Sequence, residues 1–391
     1  MTAWHLVTGE YPPQRGGVSH YTALLAAALA AEGETVHVWC SDVGVADDAG
    51  HSPHAGAGDD VEGVTVHRVG GRFRGADLRR LDAALQAMPA PRRVLVQYAP
   101  QAFGMRGMNL GFCRWVLRRR RRGDDVRVMF HEPFFPFGRQ KARRNVLAAV
   151  NRLMASELLA ASRVAYVSVP AWAELLRPYA GSRPPPFVWL PVPATVAPVD
   201  DADAVRAVRF ALTGADGARK VVGHFGTYGA LIGPLVEPVM ERLLADPNVV
   251  ALFLGDGGRD FAAGMASRHP EWSKRLVAPG WQTSREVSLH LQACDVVVQP
   301  YPDGASARRT TLMAALANGA ATATTVGRFT EDVWRTGPIP LAPAGDAAAL
   351  ATHAARLLAD DDARAAVARD GRAFYERLFD FPGIVEALLA T

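Results

Sequence analysis

Short apolar runs and amphipathic stretches alternate along this chain, and the alternation occurs twice. In the first half, Trp4 to Thr8, Thr35 to Trp39, Val64 to Val69, Val94 to Tyr98, Val126 to Phe130 and Val164 to Ser168 read as strands. Helical spacing lies between them, up to Ala31 after the first strand and at Ala76 to Met88, Gly107 to Arg122, Lys141 to Ala160 and Ala171 to Tyr179. Short, nearly continuous apolar runs suit strands buried on both faces, and strand–helix alternation calls for parallel sheets. The pattern breaks at Pro184 to Pro198, a proline-dense stretch, so a boundary is expected between Pro193 and Lys220. It restarts with strands at Val221 to Phe225, Val249 to Leu254, Leu276 to Ala278, Val296 to Val298 and Ala321 to Thr325. Helices at Leu235 to Leu244, Phe261 to Arg268 and Ser284 to Ala293 alternate with these, and Asp346 to Phe379 and Pro382 to Leu389 close the chain with helices. The expectation is an α/β protein of two consecutive domains with a ligand cleft between their sheets.

The ends of these strands carry the chemistry. The first leads into G-E-Y-P-P-Q-R-G-G-V-S-H-Y, which lacks the G-x-G-x-x-G spacing of a dinucleotide site. Gly16-Gly17 nevertheless precedes a helix, where two glycines let a ligand approach the backbone; an ordinary loop pair is the alternative. A later strand delivers His131-Glu132 to the sheet edge before P-F-F-P-F-G. That histidine is either a site residue or a hydrogen-bonded structural one. The richest stretch is Asp295 to Arg328. It holds an apolar run, a loop from Pro300 to Ser306, then Arg308, Arg309, Thr310 and Thr311 opening an Ala/Leu helix that stops at Asn318-Gly319. A helix start offers unpaired N–H groups and partial positive charge, and two guanidinium groups add to it, so this stretch predicts an anion site. Its rival is a surface unit with two solvated arginines.

Composition narrows the classes. With 391 residues, 49% hydrophobic and 21% charged, the chain is globular and large enough for two cores. Its three cysteines, Cys40, Cys113 and Cys294, have neither metal nor disulfide spacing. His51 and His54 are spaced for a metal but lack a third ligand, so no metal is expected. The longest uncharged run, Thr310 to Gly327, is too weakly hydrophobic to span a bilayer, and no signal peptide is evident, so a cytoplasmic setting is expected. The net charge of +4 is almost all arginine, with lysine only at Lys141, Lys220 and Lys274. The run Arg118 to Arg122 reads as a solvated helix end or as peripheral contact with an anionic membrane at the inner face. No aromatics interleave with it, so nucleic acid is not expected as a partner.

Taken in order, several motifs resemble the retaining glycosyltransferases of family 4. They are Gly16-Gly17 before the first helix, His131-Glu132, a second domain with strand-F-G, L-G-D-G, P-G-W and A-C-D-V-V-V-Q-P, and a helix closing at Asn318-Gly319. The resemblance covers nearly the whole chain. It implies a GT-B fold, in which two Rossmann-like domains face each other across a cleft and C-terminal helices cross back to the first. The corresponding boundaries are 1–195 for the acceptor domain, 196–375 for the donor domain and 376–391 for the returning helix. It implies transfer of a sugar from a nucleotide-diphosphate-sugar to a hydroxyl-bearing small molecule, glycan or lipid, without cofactor or metal. Gly16, Gly17, Gly226 and Thr227 would lie against the diphosphate or sugar, His131 by the reacting sugar carbon, and Trp281 near the base. Gly304, Ser306, Arg308, Arg309, Thr310 and Thr311 would face the diphosphate and sugar.

The chain departs from the family twice. Its signature has two glutamates eight positions apart, and Ser306 and Ala314 stand there. Asp303-Gly304 would replace the first Glu-Gly across a three-residue gap, which makes Asp303 a second catalytic candidate beside His131. The cations usual after the first second-domain strand are also absent from Gly226 to Pro234, and Arg308 and Arg309 are expected to replace them. A pseudo-glycosyltransferase and a non-catalytic nucleotide-sugar-binding partner are the alternative functions.

Overall fold

The computed structural model describes residues 3–14, 16–42, 61–69, 71–138, 142–214 and 219–391. Two compact units share the chain: Met1–Pro191 with Phe381–Thr391, and Val192–Asp380. The first holds strands β1 (Trp4–Thr8), β2 (Val36–Cys40), β3 (Val64–Arg68), β4 (Arg93–Tyr98), β5 (Asp125–Phe130), β6 (Val164–Val167) and β7 (Phe187–Trp189). The second holds β8 (Lys220–Phe225), β9 (Val249–Leu254), β10 (Leu276–Gly280), β11 (Val296–Gln299), β12 (Thr322–Val326) and β13 (Leu341–Pro343). All pairings are parallel, in the orders β3-β2-β1-β4-β5-β6-β7 and β10-β9-β8-β11-β12-β13. Each is therefore a Rossmann-like sheet whose strand order reverses once, between β1 and β4 and between β8 and β11.

The apolar runs are buried for the reason their pattern implies. Every residue of β9 is buried, and Ala251 and Phe253 face one apolar cluster while Leu252 and Leu254 face another. A parallel strand with packing on both faces leaves no polar side. The final helix, Phe381–Ala390, belongs to the first unit. Arg127 of β5 donates from Nη1 to the Leu388 carbonyl at 2.9 Å, and the Phe381 ring stacks near Tyr21 at 6.3 Å.

Three local expectations change. The proline-dense stretch is not all linker, because it contains β7, which pairs with β6 at the sheet edge, where missing N–H groups are tolerated. The expected boundary interval contains a helix, Ala202–Thr213, capped by the Asp201 carboxylate, which accepts from Ala204 N–H at 3.0 Å. The arginine run is not uniformly solvated. Arg119 is fully buried and paired with Asp124 at 2.6 Å and Asp82 at 3.3 Å, while Arg92 holds the other Asp124 oxygen at 2.8 Å. Arg118, Arg120 and Arg121 stay exposed, as a helix C-terminus favours. His51 and His54 lie outside the described residues. Among the described residues no cluster of His, Cys, Asp and Glu could hold a metal ion, and no helix is long and apolar enough to cross a membrane.

Two histidines of the first unit are buried in neutral form. His5 of β1 accepts from Trp39 Nε1 at 3.2 Å and stacks on His37, and burial pushes its pKa down to about 3. His131, after β5, is likewise lowered to about 3 by burial. His37 and His67 shift in the same direction, and Glu10, raised by burial, works in the opposite sense. A folded pKa below the unfolded value means that the unfolded chain takes up a proton the fold refuses. Stability is then full above the unfolded pKa and falls as pH drops. Acidification from pH 7 to pH 5 should lower the melting temperature, His5 and His131 each adding a slope of about 1.4 kcal/mol per pH unit below about pH 6.5. A melting temperature level across that range would contradict the buried neutral state.

Candidate functional site

In the second unit, a cavity of about 350 Å³ opens where the strand order reverses. Its walls come from the ends of β8 and β11 and the turns after them: His224, Phe225, Gly226, Thr227, Gln299, Tyr301 and Arg308 to Thr311, with Ile232, Gly255 and Asp256. Adjacent parallel strands whose connections leave in opposite directions part at their C-terminal ends, which makes such a point a ligand crevice. Six expected site residues, Gly226, Thr227, Arg308, Arg309, Thr310 and Thr311, thus meet here. The last two open the helix Thr310–Ala317, whose N-cap residue Arg309 makes no capping bond. Its first-turn N–H groups are therefore not capped by that side chain.

The loop between β11 and this helix is tightly pinned. Tyr301 N–H donates to Thr325 Oγ1 at 2.9 Å, and Ala305 N–H to the Thr325 carbonyl at 2.7 Å. Gly304 has φ +86°, and a Cβ there would lie 2.2 Å from Gly327 N, so this position requires glycine. Glu331 accepts from Ala307 N–H at 2.9 Å and is nearly buried; burial raises its pKa to about 7 against the pull of its Ala307 bond and of Arg308. Gln299 donates to the Phe225 carbonyl at 2.9 Å, tying β11 to β8, and accepts from Tyr301 Oη at 3.2 Å. That hydroxyl also meets Thr311 Oγ1 at 2.8 Å.

Asp303 does not stand free as a catalytic carboxylate. One oxygen is paired with Arg308 and the other with Arg309. Arg309 also lies over the Tyr301 ring, 4.5 Å from its centre. Two guanidinium charges and one carboxylate leave a single net positive charge at the mouth of the helix, rather than the two expected. Ser306 and Ala314 turn inward. Both are fully buried, Ala314 in the apolar cluster of Val221, Leu252 and Val297. A carboxylate at position 314 would be buried among apolar side chains, at a large desolvation cost. Ser306 and Gly304 support the loop and do not line the cavity; Trp281, half exposed after β10, does not line it either.

In the first unit, His131 lies beside the strand reversal between β1 and β4, where Gln97 of β4 reaches it. Gln97 of β4 presents Oε1 to His131 Nε2 at 2.7 Å, which places the imidazole proton on Nε2 and leaves Nδ1 as an acceptor. The Tyr21 ring meets the imidazole edge-on at 5.0 Å, and the His131 carbonyl accepts from Trp172 Nε1 at 3.0 Å. Gly16 caps the helix Gly17–Ala31, but a Cβ on it would fall 2.3 Å from Glu10 Oε2, whereas a Cβ on Gly17 would meet open space. The room at Gly16 is thus taken by a side chain of the protein itself. Glu10, His224, Tyr301 and Glu331 are functional candidates that pattern reading missed, whereas Gln97 was legible as a polar group at the C-terminal end of the run Val94 to Tyr98. Of these, His224 left the same kind of signal, a polar residue near the end of the apolar run Val221 to Phe225.

No family model matches the sequence, and no curated protein matches it. Solved structures do. Sucrose-phosphate synthase from Thermosynechococcus elongatus has a TM-score of 0.71 at 18% identity, over 99% of this chain and 97% of that one. Anabaena HepE in complex with UDP-glucose has 0.69 at 15%, over 100% and 99%. WaaG, a glycosyltransferase involved in lipopolysaccharide biosynthesis, has 0.66 at 16%, over 98% of each. The chain has the GT-B fold that these proteins share.

The pairing of Asp303 makes it a competitor for any anion drawn to the two arginines. Asp303→Asn should tighten binding of inorganic pyrophosphate about fivefold to tenfold by calorimetry, since one opposing charge is removed from a partly screened site. Unchanged or weaker binding would show that the carboxylate does not compete.

Proposed function

We propose that this chain is a glycosyltransferase that moves a sugar, with retention and without a metal, from a nucleotide-diphosphate-sugar to an acceptor hydroxyl. One observation carries the reading. In a GT-B fold, the strand reversal of the second unit holds a cavity that combines a helix start with two arginines. Cleavage of the glycosidic bond builds negative charge on the diphosphate, and N–H dipoles and guanidinium groups stabilise it there. Arg308 and Arg309 fill that role, and their planar forks suit phosphate oxygens. Gly226 and Thr227 supply backbone beside the phosphates. The leaving phosphate takes the acceptor proton on the face from which the sugar departs, which accounts for retention without a protein nucleophile.

His131 takes the sugar-orienting role that the family resemblance implies. Its neutral, Nε2-protonated ring suits a hydrogen-bond acceptor at Nδ1 and does not suit an acid. Gly16 and Gly17 are assigned to the donor on the same resemblance, with Gly17 the one that has open space above it. Trp281 is assigned to the base as an exposed aromatic that ligand binding would cover. A non-catalytic nucleotide-sugar-binding role is the second reading. The buried, carboxylate-free positions Ser306 and Ala314 favour it.

UDP-glucose is the first donor to test, because a structurally similar protein is seen with it. Ligand at a hundred times its Kd should stabilise the second unit by about 2.7 kcal/mol, read as a rise in melting temperature. Arg308→Ala and Arg309→Ala should each cut turnover about 10²–10³-fold at a nearly unchanged melting temperature. Near-normal kinetics in both would sink the assignment, and tight binding without turnover in the wild type would favour the second reading. His131→Ala should reduce kcat far more than donor affinity; an intact rate with lost affinity would reverse its role.

A further inference from the structure

The floor of the cavity carries a polar atom that no part of the proposed chemistry uses. His224 is 1% exposed and belongs to β8. Its Nδ1 lies 2.9 Å from the Val298 carbonyl, an acceptor only, so Nδ1 holds the proton. The Tyr228 ring meets the imidazole edge-on at 5.2 Å, and Tyr228 Oη donates to the His224 carbonyl at 3.0 Å. Nε2 is left with a lone pair and has no hydrogen-bond partner in the protein. It points past Gly226, where a Cβ would approach it to 3.1 Å, and the residue lines the cavity. Burial lowers the pKa to about 4, so the ring stays neutral at physiological pH.

We infer that His224 is a specificity-determining residue whose Nε2 accepts a hydrogen bond from a hydroxyl of the bound donor. The inference rests on the nucleotide-sugar reading. A neutral imidazole with only a lone pair to offer cannot bind an ionised phosphate, which has no proton to give. The cavity is therefore chemically polarised. Phosphate belongs at Arg308, Arg309 and the helix start, and a hydroxyl belongs at His224. Gly226 is glycine here because any side chain would cover the acceptor. Ala314, where the family resemblance expects a glutamate, lies in the apolar core, so no carboxylate there can take a ligand hydroxyl, and His224 offers an acceptor instead. A buried acceptor that is met by one ligand and left bare by another discriminates strongly between them.

The test is calorimetry on the full chain with UDP, 2′-deoxy-UDP, 3′-deoxy-UDP and UDP-glucose, repeated with the guanosine series because the base is unassigned. Wild type should prefer the ribose ligand over one deoxy analogue, or UDP-glucose over UDP, by about tenfold. The first outcome assigns the contact to ribose and the second to the transferred sugar. His224→Phe keeps the ring and removes the acceptor, and Gly226→Ala keeps the histidine and covers it. Both should bring the ratio close to one, while circular dichroism shows them folded. Ratios that persist in both variants overturn the role of His224 and leave the functional reading intact. Wild type that binds inorganic pyrophosphate but no nucleotide overturns the functional reading and this inference with it.

Discussion

Parallel strands end on the same side of their sheet, and everything of functional interest here depends on that constraint. All the C-terminal ends, with the turns that follow them, collect along one edge. In the second unit a cavity opens where strand order reverses, between β8 and β11, and the first sheet reverses likewise between β1 and β4. Polar residues that would be costly inside an apolar run become affordable at those points. Gln97 meets His131 at the first, and Gln299 and His224 sit at the second. The placement of Gln97, His131, Gln299 and His224 is thus a consequence of topology as much as of chemistry.

Charge is arranged by a second rule, that a guanidinium taken from water needs a carboxylate close by. Asp124 holds Arg92 and Arg119 in the first unit, and Asp303 holds Arg308 and Arg309 in the second. The two triads look alike, yet their exposure separates them. The first is sealed, with Arg119 and Asp124 buried, and acts as structure. The second is only partly covered, and its two arginines line a cavity. An arginine-rich composition says little about function until each guanidinium has been followed to its partner.

Glu331 shows how far the site extends beyond the residues that line it. It lies on the segment after β12 and holds the backbone of position 307, which fixes the loop that presents both arginines. Burial raises its pKa to about 7 against the pull of Arg308. Glu10 occupies a comparable place in the first unit, against Gly16 at the start of the first long helix.

The sequence by itself determined the fold class. Two series of buried apolar runs separated by helical spacing admit few arrangements other than two parallel-sheet units, and the order of the turn motifs pointed to GT-B. It also marked Arg308, Arg309 and Thr310 at a helix start, because that signal is local. Tertiary structure alone decided what those groups face. That Asp303 pairs with both arginines is settled by how the loop folds on itself, and that Ala314 and Ser306 point inward and His224 keeps an unpartnered nitrogen are facts of packing between segments far apart in the chain. β7 was hidden for a related reason. Proline density describes local preference, and pairing with β6 overrides it. Local spacing fixes which elements form, whereas the chemistry of a side chain depends on neighbours that only the folded chain supplies.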